Sequence, residues 1–198
     1  MLKRLVLLLT MSTAPLAAQS FFAPGLQPSQ IAGREATVAL LDAGSAGLVG
    51  QWRQPLARPK TQLTLEGGLL GGQGGSASQI LLGAGVAYQL ATVSEQLPVD
   101  VALTGGLGLS SGGGSTLTIP IGASVGRRFE LDGGFVVTPY LHPQLALTRV
   151  AVGDVSDTDL DLNIDLGANV QVNPTMAIRL GFSLGDRDAL ALGLSLKR

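Results

Sequence analysis

Residues 160–172 read LDLNIDLGANVQV. Leu160, Leu162, Ile164, Leu166, Val170 and Val172 fall on one side of an extended chain, and Asp161, Asn163, Asp165, Asn169 and Gln171 on the other. Alternation at every second residue is the period of a β-strand with one apolar and one polar face, and no helix can present it. The pattern repeats outward along the chain. Val99 to Ser110 alternates through Val101, Leu103, Leu107 and Leu109, and Thr116 to Arg128 through Leu117, Ile119, Ile121, Ala123 and Val125.

Turn-forming clusters divide the chain into about ten such segments: 36–42, 46–55, 60–70, 78–91, 97–109, 115–128, 134–149, 157–172, 175–184 and 188–197. The breaks between them are too short for a parallel crossover, which needs a dozen or more residues, so neighbours run antiparallel and the chain is an up-and-down meander. The segment at 36–42 is short, and the stretch from Gly47 to Gly50 makes 46–55 a weak strand. Without that hairpin the count is eight, and either count is even.

The composition says which solvent meets each face. Of 198 residues only 14% are charged, against about 25% in an ordinary soluble domain, while 45% are hydrophobic, 4% are aromatic and 28 are glycine. A soluble sheet usually wets its outer face with Lys, Glu and Arg and guards its edges with charge. Here the polar face carries Gly, Ala, Ser, Thr, Asn and Asp, and beyond Lys3 the only lysines are Lys60 and Lys197. The apolar face is rich in leucine. Most segments reach the ~9–11 residues that a tilted strand needs to cross hydrocarbon. In that medium every backbone group must be paired, so a sheet can cross only as a closed barrel. The expected fold is all-β: an antiparallel up-and-down transmembrane β-barrel of ten strands, with eight as the alternative.

The N-terminus adds a compartment. MLKRLVLLLTMSTAPLAAQS has a basic start at Lys3 and Arg4, an apolar run and small residues at Ala17 and Ala18, the pattern of a secretory signal peptide cleaved after Ala18. The expected organisation is a signal peptide over 1–18, an irregular segment over 19–35 and a barrel domain over 36–198. Losing Lys3 and Arg4 leaves 11 basic residues against 14 acidic ones, a mature net charge of about −3 with no basic stripe, which excludes nucleic acid as a partner. The chain has no cysteine, which excludes a disulfide framework, thiolate metal sites and thiol catalysis.

In these features residues 36–198 resemble the small outer-membrane β-barrels of the opacity-protein and porin-like group. The resemblance implies a Gram-negative-type outer membrane as the location, lipid as the surrounding partner, short periplasmic turns and insertion by the barrel-assembly machinery. It says nothing of oligomeric state. From a periplasmic N-terminus the outer loops fall at 43–45, 71–78, 110–114, 150–156 and 185–187, all short, which disfavours an adhesin or receptor.

Parity places Glu66, Asp100, His142, Gln144, Asp161, Asn163, Asp165 and Arg179 on the lumenal face as candidate lining residues. Carboxylates in a narrow lumen need partners. Pairing Val170 with Met176 across the turn at Asn173-Pro174 would set Arg179 beside Gly167 and diagonal to Asp165, so an Arg179–Asp165 ion pair is expected, with Glu66 and Asp100 joining from other strands. Arg53, Arg127 and Arg149 lie near strand ends, where they can snorkel to headgroups. Asp157 to Asp165 has acids at spacing two, but Leu162 stands where a calcium loop needs glycine, and an extended strand spreads the carboxylates by ~6.6 Å steps. His142, the only histidine, has no nucleophile or acid at a suggestive spacing. The glycine runs at 71–75 and 112–114 do not join a strand to a helix as phosphate-binding loops do.

No enzymatic role, metal or cofactor is expected. The expected function is structural, or passive passage of small solutes through a narrow polar lumen. The alternative is a soluble secreted or periplasmic barrel or sandwich that turns its apolar face inward around an apolar ligand.

Overall fold

The computed structural model describes residues 26–31, 33–72, 77–186 and 188–198. The segment read as a signal peptide lies outside them. The strands are β1 (Glu35–Asp42), β2 (Ala46–Pro55), β3 (Thr61–Leu70), β4 (Gln79–Ala91), β5 (Asp100–Ser111), β6 (Ser115–Gly126), β7 (Phe129–Glu130), β8 (Val136–Val152), β9 (Val155–Asn173), β10 (Met176–Gly185) and β11 (Ala189–Lys197). The two-residue β7 pairs with β8 in the register that β6 already holds, Phe129 opposite Val137 and Gly126 opposite Tyr140. β6 and β7 are therefore one strand interrupted at Arg127 and Arg128, and the barrel has ten staves.

Each strand pairs with its neighbours in sequence, β6 pairs with β8, and β1 pairs antiparallel with β11, Ala39 opposite Gly193, so the ring closes. The hairpin of β1 and β2 belongs to the ring, with Val38 opposite Gly50, and the eight-strand alternative is excluded. Closure leaves no edge strand with unpaired backbone groups, as a sheet in hydrocarbon requires.

The apolar faces point outward. On β9 Leu160 and Leu162 are 67% and 53% exposed, whereas Asp161, Asn163 and Asp165 between them are buried. Buried polar and charged residues outnumber buried apolar ones about two to one among the described residues. That is the inverse of a soluble core, and it overturns the alternative of a soluble barrel with its apolar face inward. The chain folds as a transmembrane-type β-barrel.

The two ends differ. At the end that holds the start of β1 and the close of β11, the exposed rim carries Arg34, Arg58, Lys60, Arg127, Arg128 and Arg198 against Glu95, Glu130 and Asp132. Of the outward aromatics, Trp52, Tyr88, Phe129 and Phe135 gather there too, while Phe182 faces outward farther along β10, and Arg127 stacks 5.5 Å over the Phe129 ring. Among the described residues the opposite rim exposes Asp42, Asp154, Asp157, Asp159, Asp186 and Asp188 against Arg149. β8 and β9 run farther toward that rim than the sequence suggests, to Val152 and Val155, so their connection is only the turn at Gly153 and Asp154.

Leu192 sits mid-strand on β11 and faces outward. Leu192→Arg is expected to lower stability in phospholipid vesicles by about 2–4 kcal/mol. Urea titration of the refolded barrel, read by heat-modifiable gel mobility, measures it; an unchanged midpoint would mean that this face does not meet lipid.

Candidate functional site: the barrel lumen

The eight lumenal residues expected from parity all point inward and are buried: Asp161 and Glu66 are 7% exposed, His142 not at all. Their partners differ from expectation. Asn173 faces Met176, a bulge follows, and the register resumes with Val170 opposite Ile178 and Arg179 opposite Asn169. The two-residue shift keeps Arg179 inward yet moves it along the lumen. It reaches across β11 to Glu35 at the start of β1 and forms the barrel's fully buried ion pair there, in place of the expected pair with Asp165. Thr37 donates to the same Glu35 carboxylate at 3.1 Å and shares a 2.7 Å hydrogen bond with Ser195.

Asp165 instead accepts from Gln144 at 2.8 Å and lies 3.3 Å from His142 Nδ1. Glu66 accepts from Gln51 at 3.1 Å. Asp100 accepts from Gln30 and from the backbone N–H of Val93 rather than from Arg179. Arg53 is a further correction. It was placed at a headgroup rim, but it points into the lumen, 1% exposed, with its Nε and Nη2 unpaired. Parity with Gln51 would have revealed this, since Arg53 is two residues farther along the same face.

The lumen also holds a relay that sequence spacing could not show. Thr104 of β5 lies 2.8 Å from His142 Nε2, and His142 Nδ1 faces Asp165 of β9. An ionised Asp165 can only accept, so in that state Nδ1 is the donor to it; in a neutral imidazole Nε2 then accepts from the Thr104 hydroxyl. His142 spans β6 to reach Thr104 because Gly122 stands in the way without a side chain: an added Cβ would lie 2.9 Å from Nε2 and 2.7 Å from the Pro143 carbonyl oxygen. Hydroxyl, imidazole and carboxylate in series is an arrangement that can activate a nucleophile. In this barrel His142 and Asp165 are shut away from solvent, and the relay acts as a strut across four strands. Tyr140 uses the same device, its ring lying across Gly167 of the adjacent strand. Among the described residues no three acidic or histidine side chains converge in a way that could hold a metal ion.

Two features occupy the lumen among the described residues. Toward the acidic end Leu41, Val49, Leu70 and Leu81 form an apolar cluster with Ala39, Ala189 and Ala191, and Leu26 packs into it. From the basic end residues 26–31 enter the barrel as a strap. Gln89 grips it twice, donating to the Ser29 carbonyl at 2.9 Å and accepting from the Ile31 N–H at 2.9 Å, while Ser124 donates to the Gln27 carbonyl at 2.7 Å. Gly126 leaves room for the Ser29 hydroxyl. Two prolines and an aperiodic composition mark residues 19–34 as irregular, but no local signal says that part of this segment turns into the lumen.

No protein-family model matches the chain, and no curated protein does. Solved structures do. The KdgM porin is similar with a TM-score of 0.45 at 7% identity, over 83% of this chain and 99% of that one. A de novo designed transmembrane β-barrel gives 0.41 at 17% identity, over 85% and 98%. Neisserial surface protein A gives 0.34 at 12% identity, over 83% and 94%.

Breaking a buried ion pair from one side strands the other charge, at a cost of about 3–5 kcal/mol. Arg179→Met should lower stability by that order, and adding Glu35→Met should recover much of the loss. Gly167→Val should cost about 1–3 kcal/mol by forcing Tyr140 off its seat, with Tyr140→Ala relieving it. Double-mutant cycles on the refolded barrel test both, and additive losses would deny the contacts.

Proposed function

We propose that the protein is a structural barrel of the outer membrane whose lumen is sealed at rest. Burial of the lumenal side chains carries this reading: Arg53 and Arg179 are 1% exposed, and His142, Ser183 and Ser195 are fully buried, whereas a water-filled channel would leave its lining accessible. Export by a cleaved leader over residues 1–18 and insertion by the barrel-assembly machinery complete the reading, and the lead-in pattern at Lys3, Arg4, Ala17 and Ala18 supports the first of these. The short connections at 43–45, 112–114 and 153–154 offer little surface for a receptor.

A second reading is a narrow passive pore for small solutes, closed by a removable strap. It is favoured by the polar atoms of Arg53, Thr148, Asn163 and Ser183 that stay unpaired inside, because buried polar groups are ordinarily satisfied by protein or by water.

Planar-bilayer recording separates the two. The native barrel should be silent. Gln89→Ala with Ser124→Ala, which removes the side-chain bonds that hold Gln27, Ser29 and Ile31, should remain silent if the side-chain packing alone seals the lumen. Small discrete conductance steps in that variant would establish the pore reading instead, and steps in the native barrel would overturn the sealed one.

A further inference from the structure

On the outer wall, at the seam where the barrel closes, one row of side chains crosses three strands. Trp52 of β2 stands opposite Ala36 of β1, and Ala36 stands opposite Leu196 of β11. The small Ala36 between two large neighbours leaves a hollow of about 240 Å³, whose rim is completed by Arg34 and Arg198. The Arg198 N–H donates to the Arg34 carbonyl at 2.9 Å, fixing the two backbones side by side at the barrel mouth. Both arginine side chains are exposed and Trp52 is partly so. Glu35, next to Arg34 in sequence, also borders the hollow, but its carboxylate points inward to Arg179 and does not neutralise the outer face.

An apolar floor beneath two guanidinium groups, beside a tryptophan at the rim of a lipid-facing wall, has the polarity of a phospholipid. Guanidinium binds phosphate through charge-assisted and often bidentate hydrogen bonds, and tryptophan favours the headgroup level. We propose that this hollow binds one anionic glycerophospholipid, its phosphate between Arg34 and Arg198 and the start of an acyl chain over Ala36, between Trp52 and Leu196. The inference rests on the membrane-spanning reading of the barrel. The concentration of basic residues on this rim, with the acidic residues on the opposite one, favours an anionic lipid at this end.

Trp52 is the only tryptophan in the chain, so its fluorescence reports the occupant. The full chain is refolded into phosphatidylcholine vesicles containing increasing phosphatidylglycerol, with brominated acyl chains on one lipid at a time as quencher. Brominated phosphatidylglycerol should quench Trp52 at about tenfold to thirtyfold lower mole fraction than brominated phosphatidylcholine, the size expected from two arginines at a membrane surface. Arg34→Gln with Arg198→Gln should abolish the preference. Ala36→Leu, which fills the hollow and leaves the charge, should also abolish it, while Arg58→Gln with Lys60→Asn, which removes equal charge elsewhere on the rim, should leave it intact.

Equal loss in the Arg34/Arg198 and Arg58/Lys60 variants, or an undiminished preference in Ala36→Leu, would reduce the site to diffuse rim attraction and overturn the proposal. Loss of the preference on adding inorganic phosphate or glycerol phosphate would assign the arginines to a soluble anion instead, which also overturns it. Absence of quenching by either brominated lipid would mean that the wall does not meet acyl chains, a failure of the membrane reading itself and distinguishable from the other outcomes.

Discussion

Pairing of every backbone N–H and C=O within the sheet is the constraint on which the rest of this structure depends. A wall of exposed Leu, Ile and Val has no water to satisfy a free strand edge, so the sheet must return to itself. The seam of β1 with β11 does this along its whole length, from Glu35 opposite Lys197 to Asp42 opposite Leu190. Closure then dictates an even number of staves, puts both ends of the strand array on one rim, and confines the polar face to a narrow interior.

That confinement explains the chemistry inside. Polar side chains cut off from bulk water need partners, and several find them across strands: Arg179 with Glu35, His142 with Thr104 and Asp165, Gln51 with Glu66. Glycine makes the space. Gly122 and Gly167 allow an imidazole and a phenol ring to lie across a neighbouring strand where any Cβ would collide. Such contacts are costly to break singly, because each leaves a buried group without its partner. The interior is cross-braced in this way, and the strap at 26–31 extends the bracing to the lead segment.

The low charge content has a corresponding explanation. Of the few charges, one set is spent inside as paired groups and the remainder is sorted by end, basic with aromatic residues at the strand-terminus rim and acidic at the other. The scarcity of aromatics looks in the sequence like a missing girdle. In the fold Trp52, Tyr88, Phe129 and Phe135 lie on one rim, which is where a bilayer interface would use them.

Strand positions, inward or outward facing, and the even count of staves were legible in the sequence, because alternation is a local property of an extended chain and needs no knowledge of its neighbours. Leu160 to Val172 shows this at its simplest, and the same parity, applied to Gln51, would have placed Arg53 inside. Who meets whom across the lumen was not legible. The register of β10 against β9 stands two residues from the one that the turn suggests, which preserves parity and so leaves no trace in the pattern, yet it redirects Arg179 from Asp165 to Glu35. The Thr104–His142–Asp165 relay draws on β5, β8 and β9, and the strap enters the lumen through contacts with Gln89, Asp100 and Ser124. Those neighbours are created only when the ring closes with a particular stagger, and that is a property of the whole sheet.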